Sequence, residues 1–307
     1  MSSPNVLAKY DALGAMRYLW SSGDAAGSLE LLSSANDKAE ALTFLEARPV
    51  HTVALRGFIR DNGLDSPRNR GKFYGYRNRE GQLEGIALIG HATLVEACTA
   101  RAFESIARKA QTCANAHIIM GEQEGIEQFW MYYAKDGQRM RLACREMMFE
   151  LKWPLPVHQE VEGLRPATLD DLDLVVPVHA AMAEEESGVN PLEKDPEGFR
   201  SRCARRIEQG RTWVLVKNGK LVFKTEIFAD TPEAIYLEGI YVSPEERGKG
   251  YGLHCLSQLS RTLLRRAETI CILVNEANES ARTFYQKAGF KFTSTYDTIF
   301  LQPTINA

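Results

Sequence analysis

Apolar and polar positions along the chain alternate between short extended runs and stretches of helical period, and the sharpest change from one to the other falls at residues 237–253, LEGIYVSPEERGKGYGL. An extended apolar run ends at Val242. A polar turn follows, with Ser243, Pro244, Glu245 and Glu246, and then Arg247, Gly248, Lys249, Gly250, Tyr251 and Gly252. Beyond them Leu253, Leu256, Leu263, Leu264 and Ala267 recur at helical spacing, which gives one buried stripe. The pattern predicts a strand that enters a helix through a glycine-rich turn.

The rest of the chain reads in the same way. Residues 7–20 and 29–46 read as helices, rich in Ala, Leu and Glu, with Gly23 and Gly27 between them. Residues 50–60, VHTVALRGFIR, read as a strand, and 72–77 with 83–89 as a hairpin across Arg79, Glu80, Gly81 and Gln82. Then come a strand at 91–97, a helix at 99–112, a strand at 117–120, a helix at 124–134, and strands at 139–142 and 144–152 around a bend. The C-terminal half starts with a short strand at 164–166 and helices at 170–183 and 196–209. A hairpin at 212–217 and 221–228 crosses Asn218-Gly219, a type I′ turn sequence. The strand at 234–242 leads into the glycine turn, and 270–274 is a buried strand by its length and β-branched content.

Two copies of one order of elements are therefore expected: helices, a hairpin meander, then strand, helix, strand, helix, strand. The segment 154–162, PLPVHQEVE, is rich in proline and polar residues and reads as the linker. The modules are placed at 1–153 and 163–307.

A glycine-rich turn opening a helix holds an anion well. Its glycines let backbone approach a ligand without a Cβ in the way, and the first helical turn offers unpaired N–H groups at the positive end of the helix dipole. The spacing is neither that of a nucleotide P-loop nor that of a dinucleotide fingerprint. After the strand at 270–274 comes NESARTFYQKAGF, residues 278–290. There Asn278 is placed to cap a helix, Gly289 to end it and Phe290 to pack back on its last turn. Asn278, Ala281 and Tyr285 share one face of this helix, and Phe284 with Ala288 forms another, assigned to the core.

These two blocks resemble the GNAT superfamily of acyl-coenzyme A-dependent N-acyltransferases. The glycine turn matches Arg/Gln-x-x-Gly-x-Gly through Arg247, Gly250 and Gly252, and the block at 278–290 is similar to Asn-x-x-Ala-x-x-x-Tyr, with the phrase FYQKAGF. The fold this resemblance implies is α/β (α+β), two GNAT-like modules, each a mostly antiparallel mixed sheet flanked by helices with a splayed strand pair. The arrangement resembles tandem GNAT proteins in which the first module is degenerate. Residues 96–101, EACTAR, stand where the first module would need its glycine turn, and Glu96 there would repel phosphate.

The resemblance implies acetyl-coenzyme A as co-substrate and a small-molecule or peptide amine as acceptor, with direct attack in a ternary complex. It implies that Ile240, Tyr241 and Val242 hold the pantetheine arm and that the backbone N–H groups of Gly248, Lys249, Gly250, Tyr251 and Gly252 hold the pyrophosphate, with Arg247 and Lys249 adding charge. Asn278 and Tyr285 complete the coenzyme A site. Tyr285 is the general acid at the sulfur and Glu238 the base, with Glu226 and the run Glu184, Glu185 and Glu186 as weaker candidates. The rival reading is a non-catalytic acyl-coenzyme A sensor or a protein-interaction scaffold.

Composition narrows the partners. A net charge of −3 over 307 residues, with no basic block, argues against nucleic acid as a partner. No apolar run reaches the length of a membrane span, and the N-terminus lacks a signal-peptide core, so a cytoplasmic protein is expected. The six cysteines form no CxxC pair, and no His stands at metal-ligand spacing from them. Buried thiols and no metal are expected. A homo-oligomer is compatible with the sequence.

Overall fold

The computed structural model describes residues 4–15, 27–154 and 160–303. The N-terminal stretch runs α1 (Pro4–Ala15), β1 (Ser28–Leu31), α2 (Ala35–Glu46), α3 (Val53–Asn62), β2 (Gly71–Arg77), β3 (Leu83–Gly90), β4 (Ala92–Ala97), α4 (Ala100–Gln111), β5 (Ile118–Glu122), α5 (Gln123–Tyr133) and β6 (Met140–Leu151). The C-terminal stretch runs β7 (Arg165–Pro166), α6 (Leu172–Ser187), α7 (Pro191–Lys194), α8 (Pro196–Glu208), β8 (Thr212–Lys217), β9 (Lys220–Asp230), β10 (Ala234–Val242), α9 (Tyr251–Leu263), β11 (Thr269–Asn275), α10 (Glu279–Lys287) and β12 (Lys291–Leu301). Part of the helix expected at 7–20, the glycine Gly23 and most of the linker at 154–162 lie outside the described residues.

Three local expectations are corrected. Residues 29–31 are not helical but pair antiparallel with β2, because the helix begins only after Ser34. Ser34 Oγ accepts from the Asp37 N–H at 3.0 Å and Asp37 Oδ2 accepts from the Ser34 N–H at 2.9 Å, a reciprocal cap that sets the helix start. Val50, Thr52, Val53 and Ile59 suggest a strand over 50–60, yet 53–62 are helix α3. Leu55 and Ile59, four apart, bury one face beside Leu45, and that tertiary contact outweighs a weak β-branched preference. The bend expected near residue 143 is absent: 140–151 is one strand.

The Asn218-Gly219 turn has φ of 51° and 71°, the double positive φ of a type I′ hairpin, as its sequence predicts. Helix α10 ends as its sequence predicts too. The Gly289 N–H donates to Gln286 O and the Phe290 N–H to Tyr285 O, both at 3.0 Å, with Gly289 at φ 91°.

The described residues form two compact units, one of residues 4–147, 275–277 and 294–303, the other of 148–274 and 278–293. The sequence pattern places all of 163–307 in the C-terminal module. The structure instead gives β12, from Ser294 on, to the unit that contains the N-terminal half. In that unit the strand order is β1-β2-β3-β4-β5-β12-β6, with β4 and β5 parallel and β12 antiparallel to β5. Ile86 and Leu88 of β3 face the core under α2 and α3, whereas Ala87 and Ile89 face the one under α4 and α5, to which β12 adds Ile299 and Leu301. Period-two alternation thus divides the sheet into two buried faces.

Buried polar contacts fix β12 in this unit. Asp297, fully buried, accepts from Tyr10 Oη at 2.6 Å and from Arg145 Nε and Nη2 at 2.9 and 3.0 Å. Thr298 Oγ1 donates to Glu146 at 2.6 Å.

In the other unit the strand order is β11-β10-β9-β8-β7, with β10 and β11 parallel and the remaining pairs antiparallel. Helices α6 and α8 bury Val175, Val176, Phe199 and Ile207 against Val214 of β8, and α9 buries Cys255 with Leu215 and Phe223. Both units are mostly antiparallel mixed sheets flanked by helices.

Candidate active site

The parallel pairing of β10 with β11 runs from Ala234/Thr269 to Leu237/Ile272 and stops there, although the strands continue to Val242 and Asn275. The antiparallel pairing of β10 with β9 is irregular between Glu238 and Tyr241, where Gly239 has φ 61°. The last residues of β10, half-buried Ile240, Tyr241 and Val242, therefore carry backbone groups not used in pairing with β11. This is the splayed strand pair.

Beyond β10 the chain makes one turn of 3-10 helix, Pro244–Glu246, before α9. Gly248 and Gly250 take φ of 75° and 86°, which L side chains avoid, and Gly250 is the N-cap of α9. A glycine N-cap has no side chain to accept from the first N–H groups, so those at 251–253 remain for an external acceptor. Gly252 answers a different need: a Cβ there would lie 2.9 Å from Val242 Cγ2 and 3.2 Å from the Phe284 ring. It lets α9 start tight against β10.

The charged side chains of the turn are occupied. Arg247 Nε donates to the Val242 carbonyl at 3.2 Å, Lys249 Nζ to Glu246 at 3.0 Å, and Tyr251 Oη accepts from Lys217 Nζ at 2.9 Å. The expected charge of Arg247 and Lys249 thus stands around the turn, while the groups that no side chain caps there are backbone N–H.

Asn278 caps α10, its side chain accepting from the Ala281 N–H at 3.0 Å. Tyr285 lies on the same helix and is buried, at 8 % exposure, against Phe284 and Phe290. The sequence pattern assigns Phe284 to the core, but Tyr285 is the more buried of the two, because the helix-ending Phe290 folds back onto it. Its hydroxyl makes no hydrogen bond among the described residues. Burial, helped by the charge of Glu186, raises its pKa well above the ordinary tyrosine value, so the hydroxyl keeps its proton.

A charged cluster beside the β10 irregularity is largely invisible to sequence reasoning. Glu226 Oε1 on β9 lies 2.8 Å from His179 Nδ1 on α6 and 3.1 Å from Lys224 Nζ, with Glu226 and Lys224 only 1 % and 0 % exposed. Lys224 Nζ is also 3.1 Å from His179 Nδ1 and donates to the Gly239 carbonyl at 3.4 Å. Arg206 of α8 links the two carboxylates, its Nε 3.7 Å from Glu226 and its Nη1 3.2 Å from Glu238. Burial alone would raise the pKa of Glu226, yet Lys224, His179 and Arg206 hold it far below the usual carboxylate range. Glu238 is the opposite case: burial dominates and pushes its pKa up, with Arg206 opposing. One carboxylate is held as an anion, and in the other burial favours the protonated form. The signal for this cluster was Lys224 and Glu226, two charges at strand spacing inside the apolar run LVFKTEIF.

The corresponding place in the N-terminal half is built differently. The parallel pairing of β4 with β5 also stops early, at Leu94/Met120, but Arg48 ties Glu96 of β4, at 2.9 Å, to Glu122 of β5. Helix α4 is capped by its own Thr99, whose Oγ1 accepts from the Ala102 N–H at 3.3 Å. An ion-paired strand gap and a self-capped helix take the places of an open gap and an uncapped one. Among the described residues no group of His, Cys, Asp or Glu could hold a metal ion, and no helix is long and apolar enough to cross a membrane.

Residues 179–290 match the model of the acetyltransferase (GNAT) family, whose members transfer acyl groups. A search of curated proteins finds none that matches the chain. Among solved structures the chain is similar to a GNAT-family acetyltransferase from Colwellia psychrerythraea, at 14 % identity and TM-score 0.57, covering 90 % of this chain and 100 % of that one. It is also similar to a tandem GNAT protein from the clavulanic acid biosynthesis pathway, at 15 % identity and TM-score 0.55, covering 90 % and 100 %. A Drosophila protein gives 13 % identity and TM-score 0.64, covering 90 % and 99 %. These likenesses show the fold, and the match to the acetyltransferase (GNAT) family model lies within it, over residues 179–290.

Proposed function

We propose that the protein transfers an acetyl group from acetyl-coenzyme A to a primary amine, by direct attack of the amine on the thioester within a ternary complex. The observation that carries this reading is the junction of β10 and α9. A strand released from its neighbour after Leu237 leads into a helix whose glycine N-cap leaves its first N–H groups unsatisfied. The pyrophosphate accepts from the N–H groups at 248–252, and the pantetheine arm pairs with the backbone of Ile240, Tyr241 and Val242. The acceptor reaches the site as a cation and must be neutral to attack. Glu238, its pKa raised by burial, takes that proton, and Tyr285 directs its hydroxyl hydrogen at the departing sulfur. Because its pKa is raised, Tyr285 stabilises the thiolate by hydrogen bonding as it leaves.

The test is thiol release from acetyl-coenzyme A across a panel of primary amines, compared with Glu238→Gln. Turnover should fall by about 10²-fold or more in the variant, with acetyl-coenzyme A affinity unchanged. Unchanged turnover at every pH removes Glu238 from the mechanism. Binding of acetyl-coenzyme A without thiol release to any amine favours a sensor.

A further inference from the structure

The N-terminal half holds an open cleft built from none of the residues assigned to acyl transfer. Its volume is about 690 Å³, the size of a small-molecule site, and its walls are the loop at 65–70, the paired ends of β2 and β3, and the end of α4 with the residues that follow it.

The loop is fixed by its own contacts. Asn69 is buried, donates from Nδ2 to the Gly63 carbonyl at 2.9 Å and accepts at Oδ1 from Asn62 Nδ2 at 2.9 Å. One turn of 3-10 helix, Pro67–Asn69, follows Ser66, and the Arg70 carbonyl accepts from the His91 N–H at 2.9 Å. Arg70 itself has φ 52°, in the left-handed region where glycine or asparagine is ordinary and arginine is uncommon. Gly71 pairs with Gly90, and a Cβ on either would meet the opposite backbone, 2.7 Å from Ile89 O or 2.2 Å from Arg70 O. The strand ends therefore close on each other without side chains, and bare backbone forms that part of the lining.

The lining has more donors than acceptors. Its cations are Arg70, Lys72 and Lys109, and the one carboxylate among the described lining residues, Asp65, is taken by Lys72 at 2.5 Å. Lys109 has no carboxylate partner among the described residues; its Nζ stands over the ring of half-buried Tyr74, 5.2 Å from the centroid. The C-terminal end of α4 has a cation without it, since Arg108 lies in the same turn and pairs with Glu104 at 2.5 Å. The last carbonyls of α4 are covered as well: Lys109 O accepts from the Thr112 hydroxyl at 2.8 Å and Ala110 O from the Cys113 N–H at 3.0 Å. Two neutral groups add donors. Ser66 Oγ accepts from the Arg68 N–H at 3.3 Å and Asn115 Oδ1 from Cys113 Sγ at 3.1 Å, while the Ser66 hydroxyl hydrogen and the Asn115 amide hydrogens have no acceptor among the described residues.

Three cations against one carboxylate leave two positive charges in this cleft, in a chain whose net charge is −3. From this excess of charge and of donors we infer that the cleft is a binding site for a small polyanion, a molecule with several anionic oxygens such as a phosphate ester or a polycarboxylate. Arg70 and Lys109 take the charge, Ser66 and Asn115 hydrogen-bond the remaining oxygens, and the Tyr74 ring forms the apolar wall. The inference is independent of acyl transfer.

The test is calorimetric titration of the full chain with tripolyphosphate and with citrate at low salt. Gly250→Glu is the background, so that the glycine turn before α9 adds no second phosphate site. This protein should bind at one site, with an affinity that falls as salt rises. Lys109→Met keeps an apolar chain on Tyr74, and Arg70→Asn suits the left-handed backbone; each should retain native circular dichroism and weaken binding about tenfold. Hydrogen exchange of the wild type should show added protection at 63–71 and 110–116 with the probe present. Tighter binding of tripolyphosphate assigns the site to phosphate esters, and tighter binding of citrate to polycarboxylates. No heat with either probe at millimolar concentration, equal affinity in background and both variants, or protection confined to other segments overturns the site. None of these readouts involves thiol release, so the acyltransferase reading stands or falls separately.

Discussion

The most informative perturbation is removal of the Glu226 charge. Glu226 and Lys224 are 1 % and 0 % exposed and 3.1 Å apart, so Glu226→Gln leaves a buried ammonium with a histidine nitrogen and one carbonyl as its nearest neutral partners. Breaking one side of a buried pair costs roughly 3–5 kcal/mol. At roughly 2–4 °C per kcal/mol for domains near this size, Tm should fall by about 6–20 °C. Replacing both partners by apolar residues, Lys224→Met with Glu226→Leu, should cost far less than the sum of the single changes, because it removes the desolvation penalty along with the attraction. Urea unfolding followed by tryptophan fluorescence gives the three differences in one cycle.

The pH dependence has a definite sign. Glu226 is depressed in the folded state, so its stabilisation is fully present above the ordinary carboxylate pKa of about 4.3 and is lost only as pH falls below it. The gap between wild type and Glu226→Gln should therefore be constant from pH 7 to about 5 and shrink in stronger acid. A cost below about 1 kcal/mol for Glu226→Gln, or additive single changes, would refute a charged buried pair.

Two further outcomes follow from other contacts. Asp297→Asn leaves Arg145 without its carboxylate and should cost about 3 kcal/mol. The loss should appear as faster hydrogen exchange in β5 and α5, with acetyl-coenzyme A affinity unchanged; unchanged exchange there would mean that β12 is not held by this contact. Arg206→Met removes the cation that lowers the pKa of Glu238 against burial, so the acidic limb of kcat/KM should move to higher pH. A limb that stays in place would separate Glu238 from catalysis.

The glycine turn and the α10 block are legible in the sequence because their chemistry is local. Gly248 and Gly250 mark a backbone with positive φ, and Asn278, Gly289 and Phe290 mark the two ends of one helix. What the sequence hides is non-local. Residues 53–62 look extended in isolation and become helical only where Leu55 and Ile59 meet Leu45. The placement of β12 is invisible because Asp297 reads as an ordinary surface residue until Tyr10 and Arg145, far away in sequence, close on it. His179 and Arg206 lie on separate helices and reach Glu226 and Glu238 only through the fold, so no spacing could announce them. Lys224 does leave a trace: a lysine pointing the same way as a glutamate two residues on, within an apolar strand, asks for a buried partner.

The central claim is that the β10–α9 junction binds the acyl donor. The direct measurement is thermal unfolding of the wild type and of Gly250→Glu, with and without acetyl-coenzyme A at a hundred times its Kd for the wild type, after circular dichroism has shown that the variant is folded. The expected result is about 2.7 kcal/mol of stabilisation in the wild type and none in the variant, where a carboxylate and a Cβ occupy the turn at φ 86°. No stabilisation of the wild type, or an equal shift in both proteins, would contradict it.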